Sequence, residues 1–372
     1  MKLVNPTPLV ANAFRQFDQA GDLDCVVAVK ATFEHRQGDG LKLHEEQEPF
    51  QWEDAYEGDP HTTMQIRQTD LTPGKVGTDV TFLGFSYAPG DTDASTWPAS
   101  LTIGSIDKTL AIHGERWWSP KIREKWAGFL AKGAKRIITD WTLTEPKATR
   151  QVPLSWDKAF GGPFPQDEEA EQQSAVEPRN PLGCGIVNCE MSPDIGAVAA
   201  PQIDWPDSKL DWRERPEPAG FGPVSPWWRS RQRHAGTYDQ AWLDERHPLL
   251  PEDFDTRFWQ SAPPDQVAIP FLQGDETYKL ANLSASYPVA EGRLPDIRLA
   301  VRVEGSDADG WRLLVLDGVH FDWRKDHRII LTWRGRFPLP EATGVTLTLA
   351  RALTEPPRGS EHESDEASHV DA

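Results

Sequence analysis

Acidic and histidine side chains are the residues of this chain whose types could carry acid–base or metal chemistry. The candidates are the carboxylate pairs Asp253/Asp255 and Asp275/Glu276 and the histidines His320 and His327. A glycoside hydrolase needs two carboxyl groups facing each other across a cleft. Loop acids more often cap a turn or face water, and histidines at strand ends are commonly half exposed. We therefore favour structural roles for all six residues.

Motifs that would assign a reaction are missing from the sequence. The chain has no phosphate-binding Walker loop, no glycine-rich dinucleotide motif after a strand and no nucleophile elbow. Its ten histidines and three cysteines do not have the spacings of zinc sites. The sequence thus offers no catalytic, cofactor-binding or metal-binding residue.

Tryptophan is unusually frequent, with 16 copies in 372 residues. Indole rings can line a carbohydrate platform, and they can equally anchor the core of a loop-rich β protein; for any single tryptophan we favour the anchor. Tryptophan and arginine also dominate the energetics of protein–protein interfaces. Trp227, Trp228, Arg229 and Arg231 are therefore predicted to form an exposed protein-binding surface.

The charge is strongly negative, because 39 basic residues face 58 acidic ones and the net charge is −19. A general nucleic-acid or anionic-membrane binder would be basic, so we predict neither partner. The charges are also segregated: residues 116–136 hold seven basic residues and one acid, whereas residues 39–59 hold eight acids and one lysine. Such segregation can steer a charged partner, although solvated faces of mixed composition produce the same counts.

The cysteines and the N-terminal residues indicate in which cellular compartment the protein is expected. Cys25 lies in an apolar run and is predicted to be a buried thiol, while Cys184 and Cys189 have no framework spacing and would pair only by chance. The first residues lack the apolar region of a signal peptide, and no window of 18 apolar residues exists. We expect a cytoplasmic protein without stable membrane association.

Apolar, β-branched runs predict strands at both ends of the chain. The predicted strands cover residues 25–33, 80–87, 101–103, 109–113, 136–144, 297–303, 311–316, 319–323, 328–333 and 345–350. Two hairpins are expected, one around residues 104–107 and one around 324–327. In the strand 136–144, alternation places Ile137, Thr139, Trp141 and Leu143 on one face. Only residues 120–132 favour a turn or two of helix.

The predicted fold is mostly β, with two sheet-rich, sandwich-like parts joined by a long coil rich in proline, glycine and tryptophan. Residues 1–150 are assigned to an N-terminal antiparallel β domain and 271–354 to a C-terminal β domain. Residues 151–270 form a tryptophan-anchored irregular segment that packs on the sheets, because disordered chains are poor in aromatic residues. The acidic end, 355–372, is predicted to be a disordered tail.

The irregular segment carries six short motifs in a fixed order. Their residues are Trp156, Phe160, Gly161 and Gly162; Asn180, Pro181, Gly183 and Gly185; Gly236, Thr237, Tyr238, Asp239 and Trp242; Pro251, Asp253 and Phe254; Asp265 and Gln266; and Gly274, Asp275 and Glu276. Together with Gly220–Pro223, this series resembles a bacterial family, formerly a domain of unknown function, of type VI secretion accessory proteins. The resemblance extends from about residue 4 to about residue 300.

The resemblance implies an adaptor or chaperone without enzymatic activity, catalytic residues or cofactor. Such a protein binds a toxic effector, or its segment bearing a PAAR domain, in the cytoplasm and promotes its loading on the VgrG/PAAR spike. The alternatives are a glycan-binding or glycan-hydrolysing protein with a tryptophan-lined cleft, and a structural part of the secretion machine.

The motif residues themselves are better explained by structure than by direct contact with cargo. Glycine next to proline specifies tight turns, and Asp239 is expected to cap a short helical turn that points Trp242 inward. Tyr238 is expected to bury its ring, and Phe254 to anchor a turn begun by Pro251. Cargo would then bind to an aromatic groove or sheet edge that the motifs hold in place.

Overall fold

The computed structural model of the chain describes residues 1–38, 40–126, 134–164, 175–307 and 309–351. The strands of the first part are β1 (Lys2–Val4), β2 (Val10–Phe17), β3 (Leu23–Arg36), β4 (Gly40–Leu43), β5 (Ala55–Tyr56), β6 (Gln65–Arg67), β7 (Thr78–Leu83), β8 (Phe85–Tyr87), β9 (Thr96–Ile103), β10 (Ile106–His113), β11 (Trp117–Trp126), β12 (Ala134–Leu143) and β13 (Gln151–Pro153).

The elements of the central and last parts are shorter on average. The strands are β14 (Phe160–Gly161), β15 (Cys184–Gly185), β16 (Val198–Ala199), β17 (Ile203–Asp204), β18 (Val267–Ala268), β19 (Thr277–Ala281), β20 (Val289–Arg293), β21 (Leu299–Glu304), β22 (Gly310–Leu313), β23 (Val315–Asp322), β24 (Arg328–Pro338) and β25 (Thr346–Arg351). The helices are α1 (Arg229–Gln232) and α2 (Gln240–Glu245), with 3-10 turns at Pro89–Asp91, Trp156–Lys158, Thr256–Trp259 and Pro264–Gln266.

The mostly β prediction is confirmed, and so are both hairpins, β9–β10 and β23–β24. The predicted helical turn at 120–132 is wrong as far as Trp126, because these residues belong to β11 and pair with β12; the remainder lies outside the described residues. Pairing across the hairpin overrides a weak local helix preference. The predicted tail, 355–372, also lies outside the described residues.

Strands from the two ends of the chain share sheets. The largest sheet has the order β18-β7-β23-β24-β3-β2, with β4 paired to β3, and a second has the order β17-β10-β9-β19-β20. In the sheet β1-β25-β21-β22, β1 runs parallel to β25, the last strand of the described residues. Strands before residue 150 and after residue 270 are thus hydrogen-bonded neighbours in three sheets.

One continuous apolar core joins these three sheets. It includes Phe321 of the largest sheet, Tyr278 of the second and Val301 of the third. The rings of Tyr278 and Phe321 lie 5.3 Å apart, edge to face. Cys25 is fully buried in this core, as predicted, and the three cysteines are free.

A smaller apolar cluster anchors the base of the β11–β12 hairpin. It contains Trp118, Ile138 and Trp141. The predicted inward face of β12 is partly wrong, because the register shifts between Lys121 and Ile122 and leaves Thr139 as the extra residue of a bulge. Ile138, rather than residue 137 or 139, therefore points into the cluster, since a bulge changes which residues face one side.

The helices of the described part are short. No helix among the described residues is long and apolar enough to cross a membrane.

Candidate protein-binding groove

A buried lysine marks the floor of a groove beside β10. Ile106, Lys108, Leu110 and Ile112 occupy the inward positions of this strand and are all buried. Lys108 is absent from the residues predicted from the sequence, because the predicted strand began only at Thr109. The signal was nevertheless present: extending the apolar alternation of Leu110 and Ile112 back to Ile106 places a single charge on the buried face.

The Lys108 ammonium group is fully coordinated by protein atoms. Its Nζ donates to the Gly220 carbonyl at 2.7 Å, to Asp265 Oδ1 at 3.0 Å and to Gln266 Oε1 at 2.8 Å, and it lies 5.1 Å from the centre of the Trp205 ring. Burial disfavours the charged form and lowers the pKa of Lys108 to about 8, against the opposing effect of Asp265.

Gln266 fixes the chain that covers Lys108. Its side chain is fully buried, and Nε2 donates to the carbonyl groups of Val80 at 2.7 Å and Phe221 at 3.0 Å. The Phe221 carbonyl also accepts from the Phe82 backbone. These bonds attach the Gly220–Pro223 motif to β7 and explain why a glutamine follows Asp265.

Trp156 and Asn180 form the next layer. Trp156 Nε1 donates to the Pro223 carbonyl at 2.8 Å, and Asn180 Nδ2 donates to the carbonyl groups of Trp156 at 2.8 Å and Phe160 at 3.0 Å. Asn180 is fully buried. A buried amide that satisfies two carbonyl groups stabilises an irregular turn that no regular ladder could.

The glycines of these motifs allow the backbone to approach itself closely. β14 (Phe160–Gly161) pairs in parallel with β15 (Cys184–Gly185), and Pro181 and Gly183 lie in the loop before β15. Gly162 has φ +88°, and a Cβ atom there would lie 2.0 Å from the Gly183 carbonyl oxygen. Only glycine fits this position.

The groove above Lys108 has a volume of about 350 Å³. It is lined by Lys108, Trp156, Arg179, Trp205, Glu217, Pro218, Val224, Arg229, Ser230, Arg233, Pro263, Pro264 and Asp265. Arg179 pairs with Glu217 at 3.0 Å on one side. The groove therefore combines a wall of proline and tryptophan with several arginines.

Two of the four predicted interface residues belong to the core. The Trp228 ring is 1% exposed and packs edge to face on Trp156, with ring centres 5.4 Å apart. Arg231 is 4% exposed and donates to the carbonyl groups of Val224 and Phe258, both at 2.9 Å. The prediction of an exposed binding surface is thus wrong for Trp228 and Arg231, because these two side chains attach α1 to its neighbours.

Arg229 and Trp227 remain accessible. Arg229 is exposed on α1, and Arg233, one turn later, is exposed on the same groove. Neither arginine forms an ion pair with an acid among the described residues. Trp227 is half-buried, donates to the Pro60 carbonyl at 3.2 Å and packs against the neighbouring His61.

A separate group of motif residues stabilises the turns before and after α2. Thr237 donates to both carboxylate oxygens of Asp253, from its backbone at 2.9 Å and from its hydroxyl at 2.8 Å. Gly236 has φ +78°, and a Cβ atom there would lie 2.8 Å from Asp253 Oδ1. Phe254 is buried next to Pro251, as predicted.

The α2 cap is also as predicted, with one exception nearby. Asp239 Oδ1 accepts from the Trp242 backbone at 2.9 Å, and Trp242 Nε1 donates to the Leu249 carbonyl at 2.9 Å. Tyr238, expected to bury its ring, is 53% exposed and lies edge to face on Trp242. Asp239 thus holds the turn, while the Tyr238 ring stays on the surface.

The candidate catalytic carboxylates are occupied by local contacts. Asp255 pairs with His234 and Arg257, and the hydrogen bond from Arg257 lowers the pKa of Asp255 to about 2. Asp275 pairs with Arg293 at 3.2 Å. Glu276 accepts from the backbone of Gln273 at 2.6 Å and of Gly274 at 2.9 Å. Each carboxylate therefore already has a partner: Asp255 and Glu276 within their own turns, and Asp275 on the neighbouring strand β20.

The two candidate histidines lie in different surroundings. His320 Nδ1 is 2.5 Å from Thr81 Oγ1, and an Arg67 N–H contacts its other nitrogen. Burial and Arg67 hold the pKa of His320 well below its usual value. His327 packs edge to face on Trp323 at 4.6 Å. No group of three His, Cys, Asp or Glu residues in the described ranges is placed to hold a metal ion.

Apart from the groove, a region of buried polar and charged side chains covers one face of the largest sheet. Register places Lys30, Thr332, Gly318 and Asp79 in one row across β3, β24, β23 and β7, opposite the apolar core face. Buried ion pairs neutralise this side: Lys30–Asp70 at 3.0 Å, Lys75–Asp79 at 2.6 Å and Arg334–Asp317 at 2.6 Å. We interpret it as a structural layer, because each of these charges already has its partner.

A larger open cavity of about 570 Å³ lies elsewhere, between Leu83–Phe85, Pro153–Ser155 and Asp322–Arg328. None of the motif residues lines it. The groove above Lys108, in contrast, is built from Trp156 and Asp265, and Gln266 and Asn180 support it from below. We therefore take the groove as the candidate site.

Residues 20–334 match the model of a bacterial family described as "Uncharacterized protein conserved in bacteria (DUF2169)". The chain belongs to this family. The matched range includes Lys108, Asn180, Arg229 and Asp265, and hence the whole groove. Searches of curated proteins and of solved structures return no match.

Proposed function

We propose that this protein is an effector adaptor of the type VI secretion system. It binds a toxic effector, or the PAAR-bearing segment of one, in the cytoplasm and promotes loading on the VgrG/PAAR spike. The observation that carries the proposal is the groove: its floor is made rigid by motif residues, while Arg229 and Arg233 point into it without an acidic partner among the described residues.

The groove has the chemistry of a peptide-recognition site. Trp205 and the pair Pro263–Pro264 offer flat apolar surfaces to an extended segment, as aromatic-lined grooves do in known modes of peptide recognition. Arg229 and Arg233 can each bind a carboxylate through two N–H groups. The expected occupant is an extended segment of the effector that carries an acid beside an apolar side chain.

The rigid floor favours tight binding. Lys108 is held by three protein acceptors and Arg179 by Glu217, so little of the groove has to be reordered when a segment enters. Binding sites that are ordered in advance lose less entropy on association. The motifs therefore contribute to binding indirectly, through the shape that they maintain.

The experiment compares two double variants of the tagged full-length protein in its native cells. Arg229→Ala/Arg233→Ala removes the groove cations, and Lys42→Ala/Lys209→Ala removes the same charge from exposed positions outside the groove. We expect wild type and the control to co-purify a PAAR-bearing effector or VgrG, identified by mass spectrometry, and the groove variant to lose it. Thermal unfolding should show that both variants fold.

Three results would contradict the proposal. Recovery of the protein without a spike or effector protein, while the secretion system is expressed, would exclude stable cargo capture. Retention on cell-wall fragments instead would support the glycan-binding alternative. Finding the protein outside the cell together with the spike would favour a structural part of the machine, because an adaptor stays behind after secretion.

A further inference from the structure

We propose that the outer half of the β11–β12 hairpin is a second binding site, for an acidic surface of a partner protein. This site, called here the basic arm, comprises residues 121–126 and 134–138. It does not share a residue with the groove, and the inference goes beyond the proposed function because it concerns a different surface and can be tested with purified protein.

The arm extends beyond the sheet that holds its base. β16 pairs with β11 only at Trp117 and Trp118, and the smaller apolar cluster contains Trp118, Ile138 and Trp141. From residue 122 outward, the described strands pair only with each other. Five residue pairs of ribbon extend about 15 Å. On one face Ile138 packs into the smaller apolar cluster and Arg136 pairs with Asp194 at 2.6 Å. The other face carries Arg123, Lys125 and Lys135, whose side chains are exposed.

One face of the arm is cationic. Lys125 lies directly opposite Lys135, and Arg123 lies two residues before Lys125 on the same strand, so the three side chains share a face. All three are exposed, and none forms an ion pair with an acid in the described part of the chain. Lys121, at the base, is already paired with Asp140 at 2.9 Å.

This arrangement costs stability in the free protein. Like charges placed directly across two antiparallel strands are destabilising, and an isolated two-stranded ribbon is marginal in water. Carboxylates of a partner between Lys125 and Lys135 would remove the repulsion. The charge pattern therefore fits a bound acidic surface better than it fits an empty ribbon.

A protein fits this site better than a nucleic acid or a membrane does. The net charge of the whole chain is −19, so an extended polyanion that spans more than the arm would be repelled by the rest of the molecule. Charges farther apart than about 8 Å are largely screened at physiological salt. A small acidic patch on a partner protein would therefore be attracted by the arm and only weakly repelled by the acidic remainder of the chain.

The test uses a fluorescein-labelled oligo-glutamate peptide and the full-length protein. The arm variant is Arg123→Gln/Lys125→Gln/Lys135→Gln, and the control with the same charge change is Lys42→Gln/Lys209→Gln/Lys325→Gln, at exposed residues outside the arm. Three exposed charge contacts of ordinary strength correspond to about tenfold in affinity. We expect that loss in the arm variant and less than about twofold in the control.

Both triple variants are also measured in the Arg229→Ala/Arg233→Ala background, so that the groove does not contribute. The same tenfold loss there would support the arm even if the groove proposal fails. Lys125→Glu serves as a second arm variant, because it makes the pair with Lys135 attractive and preserves the ribbon; it should also weaken binding. Equal affinities of arm and control variants would overturn the proposal. So would preferential binding of wild type to duplex DNA or to phosphatidylserine-containing vesicles.

Discussion

The buried ammonium group of Lys108 makes a specific prediction about how stability depends on pH. The Lys108 side chain is 2% exposed, whereas its partner Asp265 is 42% exposed. Water therefore keeps stabilising the carboxylate while the ammonium group loses its hydration, and burial lowers the pKa of Lys108 from 10.5 to about 8. Replacing Lys108 with methionine, which has a similar length and no charge, should remove this pH dependence.

The direction of this pH dependence follows from the number of protons that the folded and the unfolded chain bind. Between about pH 8 and pH 10.5 the unfolded chain holds a proton on Lys108 that the folded chain has lost, so the free energy of unfolding rises with pH. One pKa unit corresponds to about 1.4 kcal/mol. From about pH 7 to about pH 9.5 the wild type should therefore gain about 2 kcal/mol from this residue, and Lys108→Met should gain none.

At neutral pH the unfolding free energies of wild type and Lys108→Met should be closer to each other. The variant loses the hydrogen bonds to the Gly220 carbonyl and Gln266 Oε1, and an unsatisfied buried acceptor costs about 1–3 kcal/mol. It also avoids burying a charge, which offsets part of that cost. The informative quantity is therefore how the difference in unfolding free energy between the two proteins changes with pH.

Urea unfolding followed by tryptophan fluorescence, across this pH range, measures that difference. Lys279→Met is the matched control, since Lys279 is 56% exposed on β19 and lies outside the groove; the change with pH in its difference from wild type should be smaller than that of Lys108→Met. The reasoning fails if the difference in unfolding free energy between wild type and Lys108→Met does not change with pH. That result would mean that Asp265 keeps Lys108 charged throughout the range.

Three further predictions concern stability. Asn180→Ala should cost about 2–4 kcal/mol, because two buried carbonyl groups lose their donor; urea unfolding checks this, and a loss below about 1 kcal/mol would show that water replaces the amide. Arg334→Leu should cost about 3–5 kcal/mol by leaving Asp317 buried and unpaired in the polar layer of the largest sheet, and the double variant Arg334→Leu/Asp317→Leu should recover part of it; additive losses in the double-mutant cycle would contradict the pairing. Burial and Arg116 lower the pKa of His113 to about 4. Wild type should thus lose about 2–3 kcal/mol relative to His113→Gln as pH falls from about 6.5 to about 4, because the unfolded chain takes up the proton first; parallel pH curves would refute this.

Local features of the fold were predictable from the sequence. The hairpins β9–β10 and β23–β24 follow from apolar alternation that stops at turn residues, and the Asp239 cap follows from a short side chain placed before a helical turn. The burial of Cys25 follows from its apolar run. Each of these depends on neighbours within a few residues, which the sequence shows directly.

The groove was predictable only in part. The motifs indicated that Trp156, Asn180 and Asp265 have fixed roles, and the Trp/Arg argument selected Arg229. It also selected Trp228 and Arg231, which are buried, because residue type alone does not tell a surface arginine from one that bonds two backbone carbonyl groups in the interior. Lys108 was missed because its strand was predicted too short.

The sequence by itself therefore determined that the chain is mostly β, where many strands lie and which turns need glycine or a capping acid. The tertiary structure alone decided which strands become neighbours: β3 pairs with β24 and β1 with β25, across almost the whole chain. It also decided that Lys30 and Lys108 are buried and that the basic arm is exposed. The physical reason is that periodicity is a local property, whereas burial and ion pairing depend on segments that meet only when the sheets assemble.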